Sequence, residues 1–426
     1  MKRTKKIIYI LFFIIICNFA STEERFPSPE FSRGYQIPGM EYPLVKDTLF
    51  VYFDIIILII FLYGTVFFIF KRRSRHGIFF ITFLSLLYFG FYKKGCICSV
   101  GSIQNVTLSL VNADYLLPFS ALMFFLIPLL LALYYGRVFC GSVCPLGAIQ
   151  ELIIIKPLKI PPFLKNILTI IPFLYLGLAV FYASVTGDFI ICRFDPFVGF
   201  FRLSASFHMT IAGILTLISG MFIARPYCRF LCPYSVLLGL CSLLSKKHLT
   251  ITPDNCIQCR LCENSCPLDA IIKPATDEQV SIKTKKIRKI IFYIVLAPLI
   301  VFSFAFLLPS FTPFFLRNYS STPLLSAVEN QEANEKIDII KQNDSVLVKE
   351  DSNLEPQLKK RNPLLEKKIR QGLFWLGLYL GIVLVIKFIT IYQKRSNKDY
   401  AIDKFSCVSC GRCMEYCPVE EVNKNV

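Results

Sequence analysis

The chain has 426 residues, 54% of them hydrophobic, with a formal net charge of +18, 17 cysteines and three histidines. So apolar a composition excludes an ordinary soluble globular protein, and 17 cysteines in a chain of this length do not make a small secreted disulfide scaffold. No basic stripe with interleaved aromatics accompanies the charge, so nucleic acid is excluded as a partner, and the charge is better explained by membrane orientation.

Met1–Lys6 carries four basic residues and is followed by the apolar run Ile7–Ala20. At 14 residues that run is too short for a comfortable crossing, so residues 1–20 read as a signal peptide or a signal anchor. The proline-rich residues 21–47 then form an extracytoplasmic linker. Apolar spans follow at Thr48–Phe70, Ile78–Tyr92, Tyr115–Tyr135, Lys165–Val185, Phe207–Ala224, Lys289–Leu308 and Gly372–Tyr392. Alternating sides places Lys71–His76, Arg137–Lys165, Arg225–Arg288 and the tail from Gln393 on the inner side, with 24 Lys and Arg in total. The outer segments Ser21–Asp47, Lys93–Asp114 and Thr186–Ser206 hold seven, the asymmetry expected of positive-inside orientation. The segment 309–371 is a polar outer loop with ten Lys and Arg, and long loops cross largely regardless of charge.

The membrane domain, residues 48–245, contains an internal repeat. In the first copy ICSVGSIQ, with Cys98, precedes a span ending in GRVFCGSVCPLGAIQ, with Cys140 and Cys144. In the second, ICRFDPFVG, with Cys192, precedes a span ending in ARPYCRFLCPYSVLLG, with Cys228 and Cys232. Arg137 matches Arg225 and Pro145 matches Pro233. Related membrane units commonly meet about a pseudo-two-fold axis with functional groups at their interface. Four thiols brought together there could hold a further thiolate-bound metal centre, iron–sulfur or copper(I), with the arginines favouring thiolate; they could equally be structural thiols. On the outer side Cys98 and Cys192 form either a disulfide or a redox centre, and Cys241 reads as packing.

Beyond the membrane domain lie CIQCRLCENSCP, with Cys256, Cys259, Cys262 and Cys266, and CVSCGRCMEYCP, with Cys407, Cys410, Cys413 and Cys417. Each spells C-x2-C-x2-C-x3-C-P, the spacing with which a short loop wraps a [4Fe–4S] cluster, so two [4Fe–4S] clusters are expected. Residues 246–288 and 393–426 are then the two halves of a ferredoxin unit, separated by the span 289–308, the outer loop 309–371 and the span 372–392. In two-cluster ferredoxins the fourth cysteine of each run ligates the other cluster. One set is therefore Cys256, Cys259, Cys262 and Cys417, the other Cys407, Cys410, Cys413 and Cys266; two independent single-cluster loops are the alternative. LTITPDN before Cys256 and YAIDKFS before Cys407 read as short strand-like lead-ins, and LDAII after Cys266 as a return strand. Three histidines are too few for a paired-ligand haem relay, no C-x-x-C-H appears, and no G-x-G-x-x-G follows a strand.

The paired CxxxCP segments with the ferredoxin run behind them resemble the NosR/NapH-type membrane polyferredoxins. The flavin-binding domain with covalently attached FMN that some of these proteins carry is missing here. The resemblance implies a multi-pass protein of the bacterial cytoplasmic (inner) membrane, set in lipid with both ferredoxin halves in the cytoplasm. It would pass electrons between a cytoplasmic or quinone-linked donor and an extracytoplasmic acceptor. Redox proteins on one or both sides, quinone or a flavin-bearing protein are the expected partners. The fold class expected is a polytopic α-helical membrane protein of about seven transmembrane helices with an α+β bacterial ferredoxin-like unit. No catalytic residue is assigned, and an electron-transfer subunit is preferred to a self-contained enzyme. Two other readings remain: a thiol-based copper or metal reductase or metal-handling factor, and a redox-sensing or assembly factor.

Overall fold

The structure, a computed structural model, describes residues 48–95, 99–113, 115–155, 157–202, 207–251, 259–274, 297–319, 363–392 and 400–416. The expected signal segment and linker (1–47), most of the outer loop, and Cys98, Cys256 and Cys417 lie outside the described residues.

The described chain is a multi-pass α-helical membrane protein. Five helical stretches are long and apolar enough to cross a bilayer: Leu49–Phe70, Arg75–Tyr92, Pro162–Val185, Ala297–Phe315 and Glu366–Thr390. Two other expected spans are shorter. Pro118 and Gly136 (φ 77°) bound Phe119–Tyr135 at 17 residues, and Phe207–Phe222 has 16. At about 1.5 Å per residue each reaches roughly 25 Å, less than the usual hydrocarbon thickness of about 30 Å. The final helix begins at Pro363 rather than Gly372, and the preceding one continues beyond Leu308 through a 3-10 turn into Thr312–Tyr319.

An expected outer loop contains a helix. Ser99–Val111 packs against Phe119–Tyr135 and Ile171–Val185 and buries its first six residues. Hydropathy misses it because that buried face, SVGSIQ, is small and polar. Gln104, fully buried, donates to the Asp188 carbonyl (3.2 Å) and accepts from the Ile191 N–H (3.0 Å), which removes the cost of burying an amide.

The helix ends sort into two groups. At one end Arg75 reaches Glu151, Lys247 N–H bonds the Tyr134 carbonyl, and Leu158 N–H bonds the Phe222 carbonyl. There too Lys387 lies over the Phe173 ring. At the other end Asp54 is held by Tyr88 Oη (2.7 Å) and Lys93 Nζ (2.8 Å), and Thr186 meets Asp188. The first end gathers the segments expected on the inner side, and both ferredoxin halves sit there. Strand β1, Ile271–Ile272, pairs antiparallel with β2, Ala401–Ile402, as Ile271–Ile402 and Ile272–Ala401. This two-stranded sheet joins segments separated by two candidate spans.

Candidate iron–sulfur sites

Each CxxxCP proline makes a helix start. Pro145 is the first residue of Pro145–Ile153, where its missing N–H costs nothing, and Cys144 is the N-cap. Pro233 is the N-cap of Tyr234–Leu243. Cys140 sits in a π-helical turn, Phe139–Val143, and Cys228 in the short helix Pro226–Phe230. Cys140, Cys228 and Cys232 are buried and Cys144 is half-buried. All four converge: Cys232 is within electrostatic reach of Cys228, Cys140 and Cys144. Burial pushes the Cys228 thiol up to about 11 despite Arg225 beside it, and raises Cys232 well above the usual range. Gln150 Nε2 donates to Cys228 Sγ at 3.4 Å, and Arg137 Nη2 lies 3.9 Å from Cys140 Sγ. Among the described residues no three His, Cys, Asp or Glu side chains stand close enough to hold a single metal ion.

The second ferredoxin run lines a separate, partly open pocket whose wall includes Cys266, Cys407, Cys410 and Cys413. Three of these thiols come from the second run and one from the first. The Ala270 N–H donates to Cys266 Sγ and the Ser409 N–H to Cys407 Sγ, both at 3.4 Å. Cys410 is followed by Gly411 (φ 76°), which caps helix Arg412–Glu415, just as Cys259 is followed by Arg260 (φ 62°), which caps Leu261–Ser265. The two runs therefore share a turn, and the helices they start pack together. Burial raises the Cys407 thiol to about 12 and the Cys410 and Cys413 thiols as well. A four-thiol pocket, one cysteine buried and three half-buried, with N–H donors on two sulfurs fits the thiolate ligand set of a [4Fe–4S] group. Cys259, exposed, and Cys262, buried, are the described thiols of the first set.

The second run is seated directly on the membrane repeat. Gly141, between Cys140 and Cys144, lies against Val408, between Cys407 and Cys410; a methyl group there would overlap the Val408 carbonyl oxygen. Arg137 Nη1 donates to the Phe405 carbonyl (2.8 Å), Ser242 Oγ to the Lys404 carbonyl (2.8 Å), and Lys404 Nζ to the Ser245 carbonyl (3.0 Å). Arg225, 1% exposed with a left-handed backbone (φ 48°), donates to the Cys140 and Gly141 carbonyls and lies within reach of both Cys228 and Cys410. Its charge is met by Glu151 (3.0 Å), which also takes Arg412 (2.6 Å) and Arg75 (3.4 Å). Burial alone would raise the Glu151 pKa, but Arg225, Arg412 and Arg75 outweigh it and hold the carboxyl below the usual range.

Sequence reasoning missed Glu151, Gln150 and Arg412. The signal was present for Glu151, which is the lone acid in Arg137–Lys165. Cys192 is exposed, with its sulfur close to Gly101, and Cys241 is half-buried.

Four matched segments carry the same kind of description. A "4Fe-4S binding domain" family matches residues 117–161 and 206–252, the two CxxxCP units, and a second family of that description matches 249–272 and 400–420, the two ferredoxin runs. The chain thus carries 4Fe-4S-binding domains both within its membrane repeat and beyond it, a polyferredoxin-like arrangement.

Its likeness to particular proteins is partial. It is 37% identical over 79 residues to YccM of Escherichia coli K12, whose name marks it as a candidate electron transport protein; that covers 17% of this chain and 22% of YccM. It is 32% identical over 69 residues to the uncharacterized protein MJ0749 of Methanocaldococcus jannaschii, covering 16% and 28%. Ferredoxin-1 of Caulobacter vibrioides is 40% identical over 60 residues, covering 14% and 52%. The chain thus spans between a fifth and about half of the length of these relatives. No solved structure matches.

Proposed function

We propose that this protein passes electrons between a ferredoxin unit at the cytoplasmic face of the inner membrane and the thiol set Cys140, Cys144, Cys228 and Cys232. From there they continue towards an extracytoplasmic acceptor. The observation that carries the reading is the seating of Val408 on Gly141, which puts the ligand loops of the two thiol sets in contact. Electron transfer between centres favours short separations, which this contact provides; across a bilayer core of about 30 Å a further centre is then needed, and Cys98 and Cys192 near the outer side are the expected exit.

In this reading Cys256, Cys259, Cys262 and Cys417 hold one [4Fe–4S] cluster, and Cys407, Cys410, Cys413 and Cys266 hold the other. The four CxxxCP thiols hold a third iron–sulfur centre. When bound, these groups supply one-electron redox chemistry. The chain's own contribution is to fix the sulfurs, keep water away and set the local charge. The Ala270 and Ser409 N–H groups and Gln150 donate to sulfur, which favours the more negative state. Arg225 and Arg137, close to both thiol sets, do the same electrostatically. A multi-iron group is the reading taken for the CxxxCP set because both CxxxCP units match a 4Fe-4S binding domain family. Donor and acceptor are expected to be redox proteins, quinone or a flavin-bearing protein.

Iron and sulfide content with low-temperature EPR on the anaerobically purified full chain tests the assignment. Ser at Cys228 and Cys232 should remove one centre and leave the spectra of the other two. Unchanged iron content in that variant would show that the membrane thiols bind no cluster.

A further inference from the structure

Between the membrane repeat and the ferredoxin unit lies a second, partly open pocket with four cationic residues among its lining. Arg137, Lys165, Arg225 and Arg229 all line it, beside Thr169 and Ser235, whose hydroxyls already donate to the Asn166 and Cys232 carbonyls. Three carboxylates answer these four charges: Glu151 on Arg225, shared with Arg75 and Arg412, Asp269 on Arg229 (3.3 Å) and Lys165, and Asp403 within electrostatic reach of Lys165. The nearby thiols Cys228 and Cys266 can offset part of the remainder when deprotonated. Arg137 has as partners the Phe405 carbonyl and the Cys140 sulfur; its Nε is buried without a hydrogen-bond partner, and so is Nη1 of Arg229. A buried guanidinium N–H without an acceptor is costly, and a phosphate oxygen is the acceptor whose geometry suits it best.

The remaining wall is apolar and sits at a definite depth. Phe173, stacked on Phe405, lies near the start of the candidate span Pro162–Val185. Lys387, near the end of the candidate span Glu366–Thr390, holds its ammonium 5.0 Å from the Phe173 ring and 6.0 Å from that of Phe405. The cavity is therefore level with the helix ends, where lipid headgroups lie. A basic pocket between helix ends at this level is suited to an anionic headgroup.

We infer that this cavity binds a phosphate group, carried by the headgroup of an anionic phospholipid, between the membrane repeat and the second ferredoxin half. The bound lipid would add its negative charge where Arg137, Arg225 and Arg229 meet. It would make the seating of the ferredoxin unit depend on membrane composition.

The test uses the full chain in neutral detergent, depleted of lipid and with its cluster absorbance intact. Binding of phosphatidylglycerol, phosphatidylcholine and inorganic phosphate is measured by native mass spectrometry and by the shift in thermal midpoint. Phosphatidylglycerol should bind and stabilise more than phosphatidylcholine. Arg229→Gln and Lys165→Gln should each weaken it about fivefold, the loss of one surface-level cation. Arg229→Lys should recover most of that. Stabilisation by inorganic phosphate alone would overturn the lipid source in favour of a free anion. Absence of binding by all three probes, or phosphatidylglycerol binding by both Gln variants as tight as by the wild type, would overturn the site and leave the cations serving the sulfur ligands alone.

Discussion

Replacing Glu151 by Gln removes the one carboxylate that joins Arg225, ahead of the second CxxxCP, to Arg412, inside the second ferredoxin run. The Glu151 side chain is 8% exposed and that of Arg225 2%, so the lost charge leaves a cation buried without its counter-ion. Removing one partner of a buried pair costs about 3–5 kcal/mol. The Gln oxygen keeps one acceptor, which places the effect near about 3 kcal/mol, or roughly a hundredfold in the equilibrium between seated and unseated ferredoxin. Hydrogen exchange on the full chain reads this directly. Amides across residues 403–416 should exchange about a hundredfold faster in the variant, while those of Ile171–Val185 keep their protection. Removing Arg412 as well should soften the loss, because fewer unpaired charges remain. The pH dependence follows from the depressed Glu151 pKa. Its contribution is complete above the ordinary carboxylate range and is lost as pH falls through the lower folded value. Wild-type seating should thus hold through mildly acidic pH and fail below that range, and the variant should lack this transition. Exchange over 403–416 unchanged within about twofold would refute the reasoning, since a hundredfold effect is expected.

Cys266→Ser should alter the same EPR signal as Cys407→Ser and spare the signal altered by Cys259→Ser. A change matching Cys259→Ser instead would mean that each run ligates its own cluster. Gly141→Ala should push Val408 away at a cost of about 1–3 kcal/mol; cluster content should stay whole while electron exchange between the ferredoxin unit and the membrane domain slows, and an unchanged exchange rate would show that the contact does not matter.

The ferredoxin runs were legible because cluster ligation demands cysteines at fixed short spacing; the strands expected in LDAII and YAIDKFS are present as β1 and β2, while LTITPDN forms no strand over its described residues 249–251. The convergence of Cys140, Cys144, Cys228 and Cys232 was legible from the repeat, since like segments ending like spans arrive at one end of a bundle. What hydropathy could not show was polar structure inside the membrane domain. The helix Ser99–Val111 hides behind a small, polar buried face held by Gln104. The breaks at Pro118 and Gly136 shorten an expected span. The docking of Val408 on Gly141 rests on the absence of a side chain, and the Glu151 hub on three arginines distant in sequence; neither leaves a periodic trace.

Proteoliposomes test the central claim most directly. With the full chain inserted and the ferredoxin halves outward, as checked by labelling new cysteines at Ser396 and Asn397, an impermeant reductant is added outside and an impermeant one-electron acceptor is enclosed. The account predicts reduction of the enclosed acceptor by the wild-type chain and its loss in Cys228→Ser, although the outward ferredoxin clusters still reduce. Equal reduction of the enclosed acceptor by Cys228→Ser, or none by the wild type with all its clusters in place, would contradict it.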